Sequence, residues 1–185
     1  MFIWTSVAHM VLPLGETGVK EMGANEGAVM GALQSNLHHA EGFYIYPGPG
    51  LPANPTRAQR NEAMKHMAEK LPGHPTGILI YHPADSRPMM MGRWLTVEFL
   101  TELLEALLVV WLLSQTSITG FAGRVAFVFI AGIMVSLGSN VSYWNWYGFP
   151  GNYTAAYMFI QIIGFLCVGI VAALILSRAD RAAKV

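Results

Sequence analysis

Glu98, Glu102 and Glu105 stand inside a run that is otherwise apolar from Leu95 to Leu113. Their i, i+4, i+7 spacing puts them on one face of a helix. An ionised carboxylate is costly in hydrocarbon, so inside a membrane such residues must face protein or water, and they are functional candidates by default. The chemistry open to them is proton relay or cation coordination. The structural alternative has Glu98 in the headgroup zone beside Arg93, with the other two meeting Ser136, Ser139, Asn140 or Gln161 on neighbouring helices.

A second set of groups is soft. His38, His39, His66, His74 and His82 fall in one stretch with Met64, Met67 and the run Met89, Met90, Met91. Thioether and imidazole together suit copper, above all Cu(I). Within this set the tightest local grouping is Met64-Lys65-His66-Met67, and no regular HxxxH or MxxM array accompanies it. Methionine also fills apolar stripes in ordinary cores, which is the structural reading of the same residues.

Two further constellations concern ligands and lipid. The segment from Trp144 to Tyr153 reads WNWYGFPGNY. Trp144, Trp146, Tyr147 and Phe149 offer a platform for a lipid, quinone, carotenoid or partner helix, while simple interfacial anchoring explains the same composition. His9 is a candidate axial ligand for a haem or chlorophyll, against the plainer reading of a hydrogen-bonded structural histidine. Asn140-Val-Ser142 and Asn152-Tyr-Thr154 match the glycosylation sequon but fall at predicted bilayer edges, where coincidence is the better explanation.

These groups need elements to hold them, and the hydropathy supplies most of them. The chain is 54% hydrophobic and only 12% charged, which sets it apart from an average soluble domain. Mean hydropathy is +0.42. Spans are predicted over Leu95 to Leu113, Val125 to about Tyr143, and Thr154 to Leu176. The first two are joined by the short Gly120- and Gly123-bearing turn. Phe2 to Leu14 is apolar but broken by His9 and Pro13, and it is shorter than the roughly 20 residues a crossing needs. It lacks the basic leader and nearby cleavage site of a signal peptide. The preferred expectation is the outer half of a span that begins upstream of Met1. Gly132 with Ser136, and Gly164 with Gly169, provide small-residue surfaces for close helix approach.

The expected organisation is mainly α: an integral membrane protein with about four transmembrane helices and a small α+β extramembrane domain inserted between helices 1 and 2. The bounds are 1–15 for the first helix, 16–92 for the inserted domain and 93–185 for a three-helix membrane domain. Within the insert, Asn25 is placed to cap a helix through about Leu37, with Val29, Leu33 and Leu37 on one face. Thr56 and Gln59 form a capping-box pattern before a helix through Leu71, on which Met64, Met67 and Leu71 form a stripe. Gly42-Phe-Tyr-Ile-Tyr-Pro47 and Gly77-Ile-Leu-Ile-Tyr-His-Pro83 read as two short strands of one design. Basic residues Arg124, Arg178, Arg181 and Lys184 lie on one side of the spans and Lys20, Arg87 and Arg93 near span ends on the other, a balance that places the C-terminus in the cytoplasm; the expected location is a bacterial inner membrane.

What is missing narrows the function. There is no Ser-His-Asp elbow, HExxH, GxxxxGK or GxGxxG pattern, so no catalytic signature is present. A net charge of zero gives no field for nucleic acid. The lone Cys167 excludes an intrachain disulfide. The expectation is a non-catalytic accessory or scaffolding subunit of a larger membrane complex, such as an energy-converting one, with lipid and other membrane subunits as partners. The alternatives are a small proton- or cation-conducting protein using the glutamate face, and outward-facing copper handling by His66, Met67, His82 and Met89 to Met91.

Overall fold

The computed structural model describes residues 1–182; Lys184, counted above among the basic residues, lies outside them. The fold is mainly helical with one two-stranded sheet, and it divides into two compact units. One comprises Met1–Lys20 with the residues from Met90 onward, and the other is Glu21–Met89.

The first unit contains α1 (Phe2–Met10), α4 (Met91–Ser114), α5 (Phe121–Ser136), α6 (Ser142–Tyr147) and α7 (Gly151–Ala182). A π-helical turn, Leu137–Val141, carries α5 into α6 without a break, so Phe121–Tyr147 is one helical run. Among the described residues, that run and α7 are the helices long and apolar enough to cross a membrane. The 24 residues of α4 are also sufficient in length, but its three carboxylates set it apart in composition. At nine residues α1 extends only about 14 Å, half of a hydrocarbon core.

Antiparallel packing of α5 on α7 forms the centre of this unit. It rests on small residues: a Cβ added to Gly132 would fall 2.4 Å from the Phe165 Cβ, and one added to Gly169 would fall 3.1 Å from the Val128 Cβ. Gly164 instead faces Met1 and Trp4 of α1. The small-residue surfaces thus serve packing within the chain. Val109 and Leu113 of α4 join Val128 and Phe165 in the buried core, which ties α4 to the pair near its C-terminal end. At that end Arg124 is buried, and its guanidinium donates to Asp180 Oδ2 at 2.6 Å and to the Ile118 carbonyl at 3.1 Å. Its charge is therefore neutralised locally, which weakens its weight in the orientation argument.

The aromatic segment differs from the expected loop. Trp144, Trp146 and Tyr147 lie on α6, and the connection to α7 shrinks to Gly148, Phe149 and Pro150. Gly148 adopts φ 69°, the left-handed C-cap that glycine accepts without a Cβ penalty, so the helix persists up to it. Likewise α7 starts at Gly151 and ends at Ala182, beyond the predicted Thr154 to Leu176 on both sides.

The second unit holds α2 (Glu26–Leu37), β1 (Gly42–Tyr46), α3 (Arg57–Lys70) and β2 (Gly77–Tyr81). The strands pair antiparallel, with Gly42 opposite Tyr81 and Gly77 opposite Tyr46. The shared Gly-to-Tyr design thus sets each strand's glycine against the other's tyrosine. A Cβ on Gly77 would meet the Tyr46 hydroxyl at 2.7 Å, so the ring occupies the space a side chain would need. The Thr56–Gln59 capping box forms in full: the Thr56 amide donates to Gln59 Oε1 at 2.8 Å, and the Gln59 amide donates to Thr56 Oγ1 at 3.3 Å. Asn25 occupies the N-cap of α2 but makes no side-chain cap bond. Val29, Leu33 and Leu37 are the half-buried residues of α2, as their spacing predicts.

Candidate functional site

The chemistry gathers in a cleft of about 520 Å³ between α1, α4 and α7. Each helix contributes one face, at spacings that 3.6 residues per turn requires. From α1 come Phe2, Thr5, Ser6 and His9; from α4 come Trp94, Glu98, Thr101, Glu102 and Glu105; from α7 come Tyr157, Ile160 and Gln161. The opposite face of α1 docks it on α7. There Ala8 is fully buried, and the Trp4 indole donates to the Ile160 carbonyl at 2.8 Å. That bond satisfies a buried N–H and fixes the rotation that turns Thr5, Ser6 and His9 toward α4.

Glu102 is the centre of the cleft. It stands near the midpoint of α4 and is only 6% exposed. Thr5 Oγ1 donates to its Oε1 at 2.5 Å, a short hydrogen bond linking α1 to α4. The other oxygen, Oε2, is buried and has no hydrogen-bond partner. Such an orphan is rare in folded proteins and calls for a cause, because leaving a buried polar atom unmet costs about 1–3 kcal/mol. Glu105, one turn further along, is half-buried, and Glu98 is open to the cleft mouth. Among the described residues no Lys or Arg side chain lines the cleft.

His9 is held on both edges. Its Nδ1 lies 2.9 Å from the Thr5 carbonyl, and since a carbonyl only accepts, Nδ1 carries the proton. The Gly15 backbone covers the other edge so closely that an added Cβ would fall 2.0 Å from Cδ2 and 2.7 Å from Nε2. That is the edge a haem or chlorophyll metal would have to reach. The ring meets Tyr157 edge-on at 5.9 Å, and Tyr157 stacks on Tyr153 at 4.4 Å. Phe149 and Tyr143 extend the ladder at 5.5 Å per step, and Tyr147 packs on Tyr143 at 5.9 Å. Trp144 and Trp146, with Tyr147, remain exposed, whereas Phe149 is half-buried in this ladder.

A third polar cluster abuts the cleft. Asn140, in the π-helical turn, donates to Gln161 Oε1 at 2.6 Å and to the Ser136 carbonyl at 3.0 Å. Gln161 is thereby held as a bridge from that turn to the cleft wall. The polar partner of Glu102 is Thr5, so Asn140 and Gln161 satisfy one another.

The soft residues are placed differently. His66 sits on α3 between Glu62 and Glu69, each at 3.4 Å, with Met67 half-buried beside it. His82 follows β2 and contacts Glu41 at 2.9 Å and Arg87 at 3.3 Å. Met89, Met90 and Met91 are exposed. Among the described residues no group of three or more His, Cys, Asp or Glu side chains is arranged to hold a metal ion. His66 and His82 thus each lie beside at least one carboxylate, contacts that give these two side chains a structural role.

Sequence reasoning singled out the three glutamates and His9 separately. It did not join them, and it missed Thr5, Ser6 and Tyr157. The available signal was the Phe2, Thr5, Ser6, His9 stripe at i, i+3, i+4, i+7, a polar face on a helix otherwise apolar. Compared with protein-family models, curated proteins and solved structures, the chain matches none.

Proposed function

We propose that this is a four-helix membrane protein whose α1–α4–α7 cleft binds a cation or proton and passes it within the bilayer. The single observation carrying the reading is Glu102. A carboxylate near the midpoint of a 24-residue helix is 6% exposed, and one of its oxygens is left without a partner inside a cleft lined by two further carboxylates. Acids inside membrane helices are costly and rare, and they mark ion and proton paths. The apolar surface of α4 supports its place in lipid: Leu100, Leu103, Leu104, Leu107, Leu108 and Trp111 are uncovered by protein. In this arrangement α1, α4, the Phe121–Tyr147 run and α7 all lie in the membrane. The exposed Trp144 and Trp146 belong to the aromatic belt, and the C-terminus with Arg178 and Arg181 is cytoplasmic.

The test is cation and proton flux into liposomes carrying the protein, measured with internal indicator dyes. Glu98→Gln, Glu102→Gln and Glu105→Gln together should abolish flux while the protein still elutes as a single species in detergent. Flux equal to that of the unaltered chain would dispose of the reading.

A second role, as an accessory subunit of a larger membrane complex, is favoured by α4 itself. Only Glu102, Val109 and Leu113 of its 24 residues are buried, which leaves a long apolar face for a neighbouring subunit. Recovery from native membranes at fixed stoichiometry with other chains supports this role, and a monodisperse single chain after gentle extraction opposes it.

A further inference from the structure

The cleft is far larger than one inorganic ion requires, and its walls are mostly apolar. We infer that its occupant is an organic cation, an amine or quaternary ammonium with an apolar body, an inference that rests on the cation reading above. Three features of the cleft point to this class. The first is size: about 520 Å³ falls within the range of small-molecule sites, roughly 300–1,000 Å³. The second is the arrangement of charge. Glu98, Glu102 and Glu105 are strung along one helix face, about 5–6 Å from one Cβ to the next turn's, so they line a channel of negative potential and do not converge on a point. A compact metal ion wants several oxygens at about 2.0–2.6 Å at once, and among the described residues no group of three or more His, Cys, Asp or Glu side chains is arranged to hold one. A larger cation with diffuse charge is served by carboxylates in series.

The third feature is the lining between the carboxylates. Trp94 and Tyr157 bring aromatic rings, and Phe2, Leu95 and Ile160 bring apolar surface, to the same cleft. An ammonium over an aromatic face gains about 0.5–2 kcal/mol from the ring quadrupole, the larger values when desolvated. Its apolar substituents would cover the hydrocarbon wall that water leaves poorly solvated. Glu102, one of the lining residues, is the polar anchor: the residue is nine-tenths buried and its Oε2 has no partner. A cationic centre seated against Glu102 compensates its carboxylate through space, while Thr5 keeps Oε1 occupied. Selection against neutral molecules of the same shape follows, because they bring no charge to compensate the carboxylates.

The experiment is calorimetric titration of benzyltrimethylammonium into the full chain held in phosphatidylcholine nanodiscs, with empty discs as control. Neopentylbenzene, the neutral carbon isostere, serves as competitor. Saturable binding that neopentylbenzene does not displace, and that weakens at least tenfold in Glu102→Gln, is the expected result. Glu105→Gln, at a half-buried position, gives a second reading should Glu102→Gln assemble poorly, and it too should weaken binding. Glu69→Gln, on α3, should leave binding unchanged. Heat no different from empty discs, equal displacement by the neutral isostere, or unaltered affinity in the assembled Glu variants overturns the inference. Flux of protons or sodium that depends on the glutamates, without ammonium binding, overturns this inference and leaves the cation reading standing. Absence of both overturns the two together.

Discussion

Replacing Thr5 by Val tests the central contact directly, because the two side chains have nearly the same shape and differ by the hydroxyl that donates to Glu102. That bond is 2.5 Å long and its acceptor is 6% exposed, so its loss leaves both carboxylate oxygens of Glu102 without a donor from the chain. Hydrogen bonds to charged groups contribute about 1.5–3 kcal/mol in water-soluble proteins, whereas interhelical bonds in membranes average nearer 0.6 and reach about 1.7. A burial this complete with a carboxylate acceptor sits at the upper end of the membrane range, so Thr5→Val should cost about 1.5 kcal/mol, roughly tenfold in the folding constant. The pairing is isolated by a cycle. In a Glu102→Met background the acceptor is gone, and Thr5→Val should cost under about 0.5 kcal/mol, giving a coupling near 1 kcal/mol. Reversible unfolding in mixed micelles, followed by circular dichroism against added dodecyl sulfate, reads all four corners. Equal costs of Thr5→Val in both backgrounds would refute the idea that this bond holds α1 to α4.

Other sites give sharp expectations from the same geometry. Gly132→Ala forces a Cβ to 2.4 Å from the Phe165 Cβ, so α5 and α7 must part, at a cost of about 1–3 kcal/mol in the same unfolding assay. Gly31→Ala lies in α2 with nothing within 4 Å of the new Cβ, and it should stabilise by about 0.5–1 kcal/mol in thermal melts through helix propensity alone. Asp180→Asn removes the anion from a buried Arg124; because the Asp180 side chain is 45% exposed, water takes up part of the loss, and the cost should be about 1–2 kcal/mol. Raised salt should leave that difference nearly unchanged, since the Arg124 side chain is only 6% exposed.

What was legible in the sequence follows the range over which its signals act. Local rules worked at short range. The Thr56–Gln59 box, the Gly-opened strands and the single glutamate face all depend on residues within a turn or two of one another, and each took the form its spacing predicts. The aromatic segment misled because Trp and Tyr were read by composition. The helix reaches Tyr147 and stops where Gly148 can turn left-handed, a backbone property that side-chain hydropathy does not report. Thr5 as partner to Glu102 spans 97 positions in sequence, and periodicity along one helix carries no information about which other helix it meets. The packing of Trp4 on Ile160, which rotates Thr5 into place, was equally beyond reach.

The joint arrangement of α1 and α4 explains why carboxylates can stand on an apolar helix at all. Taken alone, α4 carries three carboxylates on an otherwise largely apolar helix, and α1 is nine residues long with Thr5, Ser6 and His9 on one face. Set against each other, the Thr5, Ser6 and His9 stripe faces Glu98, Glu102 and Glu105 across one cleft, while Trp4 and Ala8 pack the back of α1 on α7. Yet the match is left incomplete. Had selection acted on stability alone, a second donor, such as a serine or asparagine one turn from Thr5, would satisfy Glu102 Oε2, and Ser6 is already in the lining without bonding to it. A buried acceptor left without a partner, on a residue of the cleft wall, sets Glu102 apart from a fully satisfied buried polar network.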